Sequence, residues 1–181
     1  MDAGRLVVAV AGPHGSGRST QARLIAEWYG LRYVSAGTLF RERAAELGLS
    51  LEEMSRRASE NRDFDGYLDR RTGEEARMGG VVIDATLSGW MAEGADLRLY
   101  LACPLSDRVR RIAEREGRDV GDVEAETRFR DENERRRFKE FYGVDVDDLS
   151  VYDFVVNTAL FDAEAVARIL KSVIDEYLGA R

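Results

Sequence analysis

Leu6-Val7-Val8-Ala9-Val10, then Gly12-Pro13-His14-Gly15-Ser16-Gly17-Arg18-Ser19, then Thr20 to Tyr29: this stretch decides how the chain is read. Its first part is short, apolar and β-branched, as expected of a strand buried in a parallel sheet. Its last part carries Ala22, Leu24, Ile25 and Trp28 at helical spacing. The loop between them has the glycine spacing of a phosphate-binding loop, in which backbone N–H groups wrap nucleotide phosphates. In that pattern a lysine reaches the β- and γ-phosphates and the hydroxyl after it ligates Mg²⁺. Gly12, Gly15, Gly17 and Ser19 keep the design, whereas Arg18 stands where the lysine is usual. A plain glycine-rich turn is the bland alternative, and the order strand, loop, helix start speaks against it.

Outward from the loop, strand-like segments recur at Leu31–Ser35, Val81–Asp84, Leu97–Leu101 and Tyr152–Val156, with helical stretches between them. Five strands in such alternation predict an α/β fold with a mainly parallel sheet. Two excursions exceed what a crossover needs, from about Ala36 to Gly79 and from about Gly117 to Gly143. Both read as helical, and insertions of this kind often cover a substrate. No repeat, low-complexity tract or Pro/Ser-rich linker divides the chain.

At 181 residues the sequence suits one domain with a substantial core. No apolar run approaches a membrane span, and the acidic start with its short apolar run does not resemble a signal peptide. A cytoplasmic protein is the expectation. A net charge of −7 argues against general nucleic-acid binding. Of the 27 basic residues all but Lys139 and Lys171 are arginine, so the chain as a whole prefers arginine and Arg18 follows that bias. Cys103, without a possible internal partner, reads as a small structural residue after a strand.

The second excursion balances its charges between Glu124 and Glu140. A solvated helix laced by i,i+4 pairs such as Arg130–Glu134 would account for that. Yet Arg130, Glu134, Arg137 and Phe141 share one helical face, and two guanidinium groups held by a carboxylate could clamp phosphates. His14, the only histidine, occupies a variable loop position, where a backbone N–H contact is expected of it rather than acid–base work.

Taken together the motifs resemble archaeal-type cytidylate kinases, nucleoside monophosphate (NMP) kinases related to adenylate kinase. The resemblance runs through Val34-Ser35-Ala36-Gly37 with Phe40-Arg41-Glu42, Leu68-Asp69-Arg70-Arg71, Leu87-Ser88-Gly89-Trp90 and Arg111-Ile112-Ala113-Glu114-Arg115-Glu116-Gly117. Its most specific part is Phe138-Lys139-Glu140-Phe141-Tyr142-Gly143-Val144-Asp145, followed by Asp147 to Asp153 and Val156-Asn157-Thr158.

The resemblance implies a five-stranded core (about 1–35, 80–116 and 144–181), an NMP-binding insertion (36–79) and a lid (117–143). It implies ATP as donor, CMP or dCMP as acceptor, Mg²⁺, a monomer and a place in pyrimidine nucleotide metabolism. Gly12, Pro13, His14, Gly15, Ser16, Gly17, Arg18, Ser19 and Thr20 would hold donor phosphates, with Arg111 and Arg115 reaching them from the lid. Ser35, Gly37, Arg41, Asp69 and Arg70 would meet the acceptor, and Arg130 and Arg137 would approach the transferring and acceptor phosphates, with Glu134 positioning them or helping bind the base. Arg18, Arg115, Arg130 and Arg137 are the expected catalytic cations, and Ser19 and Asp84 the expected metal-binding pair. Trp90 and Tyr142 are expected to pack rather than to stack on a base.

Two departures bear on activity. Arg18 is planar and bulkier than lysine. Thr86 stands where relatives commonly have an arginine that helps bind the acceptor phosphate. Beside these two, Gly66 falls where relatives often carry a basic residue. Two other readings therefore remain beside a cytidylate kinase: a nucleotide-binding regulatory protein of the same fold, and a kinase acting on UMP or AMP.

Overall fold

The computed structural model describes residues 3–50, 53–54 and 63–180, with only the backbone for residue 3, residues 63–65 and residue 69. Five strands, β1 (Val7–Ala11), β2 (Arg32–Ser35), β3 (Val81–Asp84), β4 (Leu97–Ala102) and β5 (Phe154–Asn157), form one parallel sheet in the order β2-β3-β1-β4-β5. β1 is central and buried along its whole length, which is why it reads as an unbroken apolar run. Its residues alternate between two cores. Val8 and Val10 join Leu99, Leu101, Leu170 and Ile174 on one face, while Val7 and Ala9 join Val81, Ile83 and Ala92 on the other.

The helices are α1 (Arg18–Tyr29), α2 (Ala36–Glu46), α3 (Asp63–Met78), α4 (Ser88–Met91), α5 (Leu105–Glu116), α6 (Val120–Tyr142) and α7 (Ala163–Gly179). α1 and α7 cover the first core, burying Ile25 and Leu170. α5 and α6 form a hairpin through Gly117, whose φ of 63° closes α5, and Asp119, whose carboxylate accepts from the N–H groups of Gly121 and Asp122 to open α6. This hairpin has its own small cluster of Val109, Ala113 and Val123, apart from the two sheet cores.

The first strand lies one residue later than its apolar run suggests, because Ala11 continues the ladder toward the glycine loop. The last begins at Phe154 rather than Tyr152. Residues Leu149–Val151 make a 3₁₀ turn, and the buried Tyr152 ring instead packs edge-on against Trp90 at 5.6 Å and against Tyr100 at 4.9 Å. A side chain at Gly89 would come within 2.6 Å of that ring. Two motifs quoted separately from the sequence, Leu87–Trp90 and Val151–Asp153, are thus one packed unit, and Trp90 packs as expected. Among the described residues no helix is long and apolar enough to cross a membrane.

Candidate active site

The loop after β1 needs its glycines for two different reasons. Gly12 has φ 146°, and a Cβ there would lie 2.5 Å from the Leu101 carbonyl of β4 and 2.9 Å from Ser16 Oγ. Gly15 has φ 83°, and a Cβ would press on Arg108 and Ile112 of α5 at 3.0 Å. The loop is therefore packed between the end of the sheet and α5, and it ends at the N-terminus of α1, where unpaired N–H groups and the helix dipole favour an anion.

The Arg18 side chain turns toward the end of β3. Its Nε donates to Asp84 Oδ1, and its Nη1 donates to the Gly12 carbonyl at 2.6 Å and to Thr86 Oγ1 at 3.2 Å. Asp84 is almost fully buried, and its other oxygen accepts from the Tyr33 hydroxyl at 2.6 Å. Burial and this bond to Asp84 raise the Tyr33 phenol, which stays protonated and a donor.

The sheet register makes the meeting possible, because Val10, Asp84 and Ser35 lie on one rung. The two departures noted in the sequence, Arg18 and Thr86, are hydrogen-bonded to each other. Both Asp84 oxygens are engaged, so the structure places Asp84 first as the counter-ion of Arg18.

From the other side α6 closes on the loop. His14 Nε2 lies 3.1 Å from Glu134 Oε1, and Arg130 Nε donates to the same oxygen at 3.3 Å. One turn earlier, Asp131 accepts from both terminal nitrogens of Arg108, at 3.3 and 2.6 Å, while Arg108 Nη1 also donates to the His14 carbonyl at 3.2 Å. His14 thus does more than its backbone would; its ring ties the loop to α6.

Burial acts to raise the Glu134 carboxyl, but the His14 ring and the Arg130 guanidinium outweigh it and bring the group from 4.5 down to about 2. A carboxyl depressed in the folded protein stabilises it fully above its unfolded value and loses that contribution as pH falls toward the folded one. Glu134→Gln should accordingly flatten the decline of Tm between pH ~5 and ~2 relative to wild type. Identical acid limbs for the two proteins would refute this contribution.

Two clefts flank Arg18. One, of about 240 Å³, is walled by the glycine loop with Ser19, Thr20, Arg111 and Arg115. It continues beside a roomier cavity of about 540 Å³ between α1, Arg111 and the segment Thr158–Ala163. The other, of about 220 Å³, lies between Ala36, Thr72, Thr86, Arg130, Glu134 and Arg137. Ser16 also lines the roomier cavity, as does Gly17, which borders the first cleft too.

The remaining expected residues are placed unevenly. Arg111 is anchored on Thr158, through its carbonyl at 2.7 Å and its hydroxyl at 3.1 Å. Arg115 is exposed and paired with Glu116. Ser35 caps α2, accepting from the Thr38 N–H, so its hydroxyl has local work to do. Arg41 lies over Gly37, and Arg70 over Gly66; both are exposed, lie outside the wall of the second cleft and make no ion pair among the described residues. Arg137 lines that cleft with its guanidinium 5.1 Å from the Phe138 ring. Tyr142 packs against Phe138 and Phe141 and borders the same cleft. The Asp69 side chain lies outside the described residues. Cys103 is a free thiol that accepts weakly from Arg111.

Sequence reasoning missed Tyr33, Arg108 and Asp131. Arg108 borders the apolar face of α5 formed by Val109, Ile112 and Ala113, the only signal that set it apart from the neighbouring arginines. Asp131 lies three residues before Glu134, on the side of α6 that meets the loop.

A parallel sheet with a glycine loop under an arginine-bearing helical hairpin defines a phosphate-binding-loop protein of the kinase type. The family model for the AAA domain matches residues 11–130. In fold the chain is similar to the shikimate kinase of Bacteroides thetaiotaomicron, with a TM-score of 0.63 at 12% identity over 94% of this chain and 98% of that one. In sequence it is 43% identical over 174 residues to the cytidylate kinase of Staphylothermus marinus, covering 96% of this chain and 98% of the relative. It is 45% identical over 169 residues to that of Ignicoccus hospitalis, covering 93% and 98%. The chain belongs to the cytidylate kinase family.

Proposed function

We propose that this protein transfers the terminal phosphoryl group of ATP to CMP or dCMP. The observation that carries the reading is the pair of clefts that share Arg18. The glycine loop forms one wall, and Thr86 with the Arg130–Glu134–Arg137 face of α6 forms the other. In the transfer, the bond from the γ-phosphorus to the bridging oxygen of ADP breaks and a bond to a phosphate oxygen of the acceptor forms. Neither protein nucleophile nor proton abstraction is needed, because the acceptor phosphate is already an anion. The enzyme's work is alignment and charge compensation.

In this reading Gly12–Thr20 hold the donor phosphates and the cavity beside Arg111 receives its nucleoside. Ser35 and Gly37 border the acceptor, Arg41 and Arg70 meet its phosphate, and Arg115, Arg130 and Arg137 neutralise charge around the migrating group. The residues present fit magnesium carried mainly by the phosphates. Ser19, exposed on the donor cleft, would be a direct ligand and Asp84 would act through water, while no cluster of three or more carboxylate, histidine or cysteine ligands gathers among the described residues. Bound there, Mg²⁺ would supply charge neutralisation between the phosphates. A monomer working in the cytoplasm belongs to the same reading and rests on the resemblance to archaeal cytidylate kinases.

A coupled assay with ATP and Mg²⁺ against CMP, dCMP, UMP and AMP tests the proposal. Turnover should be greatest with CMP and dCMP. No turnover with any acceptor, or a preference for AMP or UMP, would overturn it. Arg41→Ala should raise KM for CMP by about 10- to 100-fold, the loss of one charged phosphate contact, with KM for ATP within about twofold of wild type. A parallel rise in both would show that Arg41 does not serve the acceptor alone.

A further inference from the structure

Arginine at position 18 offers something that lysine does not. A guanidinium carries five N–H donors in a rigid planar fork, whereas an ammonium carries three on one atom. Three of the Arg18 donors are spent inside the protein: Nε–H on Asp84, and the two of Nη1 on the Gly12 carbonyl and Thr86 Oγ1. The pair on Nη2 has no protein partner among the described residues, and the side chain lines both clefts. The acceptors that hold the fork are themselves fixed. Asp84 is buried and braced by Tyr33, Gly12 O belongs to the loop backbone, and Thr86 begins the turn into α4. A lysine that satisfied the same three acceptors would have no N–H left for a ligand.

We propose that Thr86, together with the Tyr33–Asp84 pair, is a positioning residue that locks the Arg18 fork so that Nη2 presents two preorganised donors to the phosphoryl group between the clefts. Thr86 is then no mere loss of a cation. It is the hydroxyl that makes an arginine workable in this loop. The inference rests on the phosphotransfer reading given above and adds to it a specific consequence: returning position 18 to lysine slows this enzyme. Preorganised donors aimed at developing charge act mainly on the transition state, so the effect belongs in kcat more than in KM.

The test is a double-mutant cycle with ATP and CMP on wild type, Thr86→Val, Arg18→Lys and the double variant, with Thr86→Ser alongside and Tm as the check on folding. Thr86→Val should lower kcat about three- to tenfold, as loss of one orienting hydrogen bond would, with both KM values within about twofold of wild type. Thr86→Ser, which keeps the hydroxyl, should lose less than Thr86→Val. In the Arg18→Lys background Thr86→Val should cost less than about twofold, because no Nη2 donors remain for the hydroxyl to position.

Equal losses from Thr86→Val in both backgrounds, or an Arg18→Lys variant as fast as wild type, would overturn the proposal. Calorimetric binding of ADP, CMP and aluminium fluoride, a mimic of the planar phosphoryl group, runs the same cycle without turnover. A wild-type enzyme that fails to turn over any acceptor sinks the phosphotransfer reading. If the fluoride complex still forms, the same non-additivity decides whether Thr86 acts through Arg18. If it does not form, the positioning role falls with that reading.

Discussion

Arg18→Ala should lower turnover with ATP and CMP by about two orders of magnitude or more, the range seen when a single preorganised donor to transition-state charge is removed. The variant takes away two things at once. The Nη2 donors proposed to meet the phosphates are gone, and Asp84, buried and braced by Tyr33, loses its ion-pair partner. Breaking a buried pair by deleting one partner typically costs about 3–5 kcal/mol, which for a chain of this size lowers Tm by about 10 °C. The two effects separate in the Arg18→Ala/Asp84→Asn double variant, where stability should largely return while kcat stays low. Recovery of both would mean that the arginine matters only as a salt-bridge partner. A wild-type rate in Arg18→Ala would remove it from the chemistry altogether.

Gly12→Ala is expected to be as damaging by a different route. The new methyl group would sit 2.5 Å from a main-chain carbonyl of β4, which has no rotamer to move away with, and at a φ of 146° that side chains rarely adopt. The loop must shift, and with it the Gly12 carbonyl that accepts from Arg18. Strained non-glycine conformations cost about 1–3 kcal/mol each before the clash is counted. We expect ATP binding, read by calorimetry, to weaken at least about 100-fold, together with a clear fall in Tm. Near-normal ATP affinity would show that the loop tolerates displacement, contrary to its packing between β4 and α5.

The contrast between these two residues shows what a sequence can display. Gly12, Gly15 and Gly17 stand close together in the chain, so the loop, the strand before it and the helix after it were legible from local spacing. The five strands followed from the same logic, with errors where an apolar residue had another use, as Tyr152 does against Gly89 and Trp90. The partners of Arg18 were not legible. Asp84 and Thr86 lie 66 and 68 residues away, and only the rung shared by β1 and β3 brings them together. Arg108 was hidden among like residues, since an arginine buried against Asp131 differs from its exposed neighbour Arg110 by a rotation about the helix rather than by composition. The Arg130–Glu134 pair was read correctly, but not the His14 contact, which crosses 120 residues of chain.

The rung that joins Val10, Asp84 and Ser35 also says where this protein can change during descent. Asp84 faces Arg18 only while β3 keeps its pairing, because a slip of one residue would turn its carboxylate to the opposite side of the sheet. Added or lost residues outside the strands leave that pairing intact, but within α6 they would turn Arg130, Glu134 and Arg137 off the face that lines the cleft, so length can drift only in connections that carry no part of the site. A single insertion inside β1 or β3 would separate Arg18 from its counter-ion at one stroke.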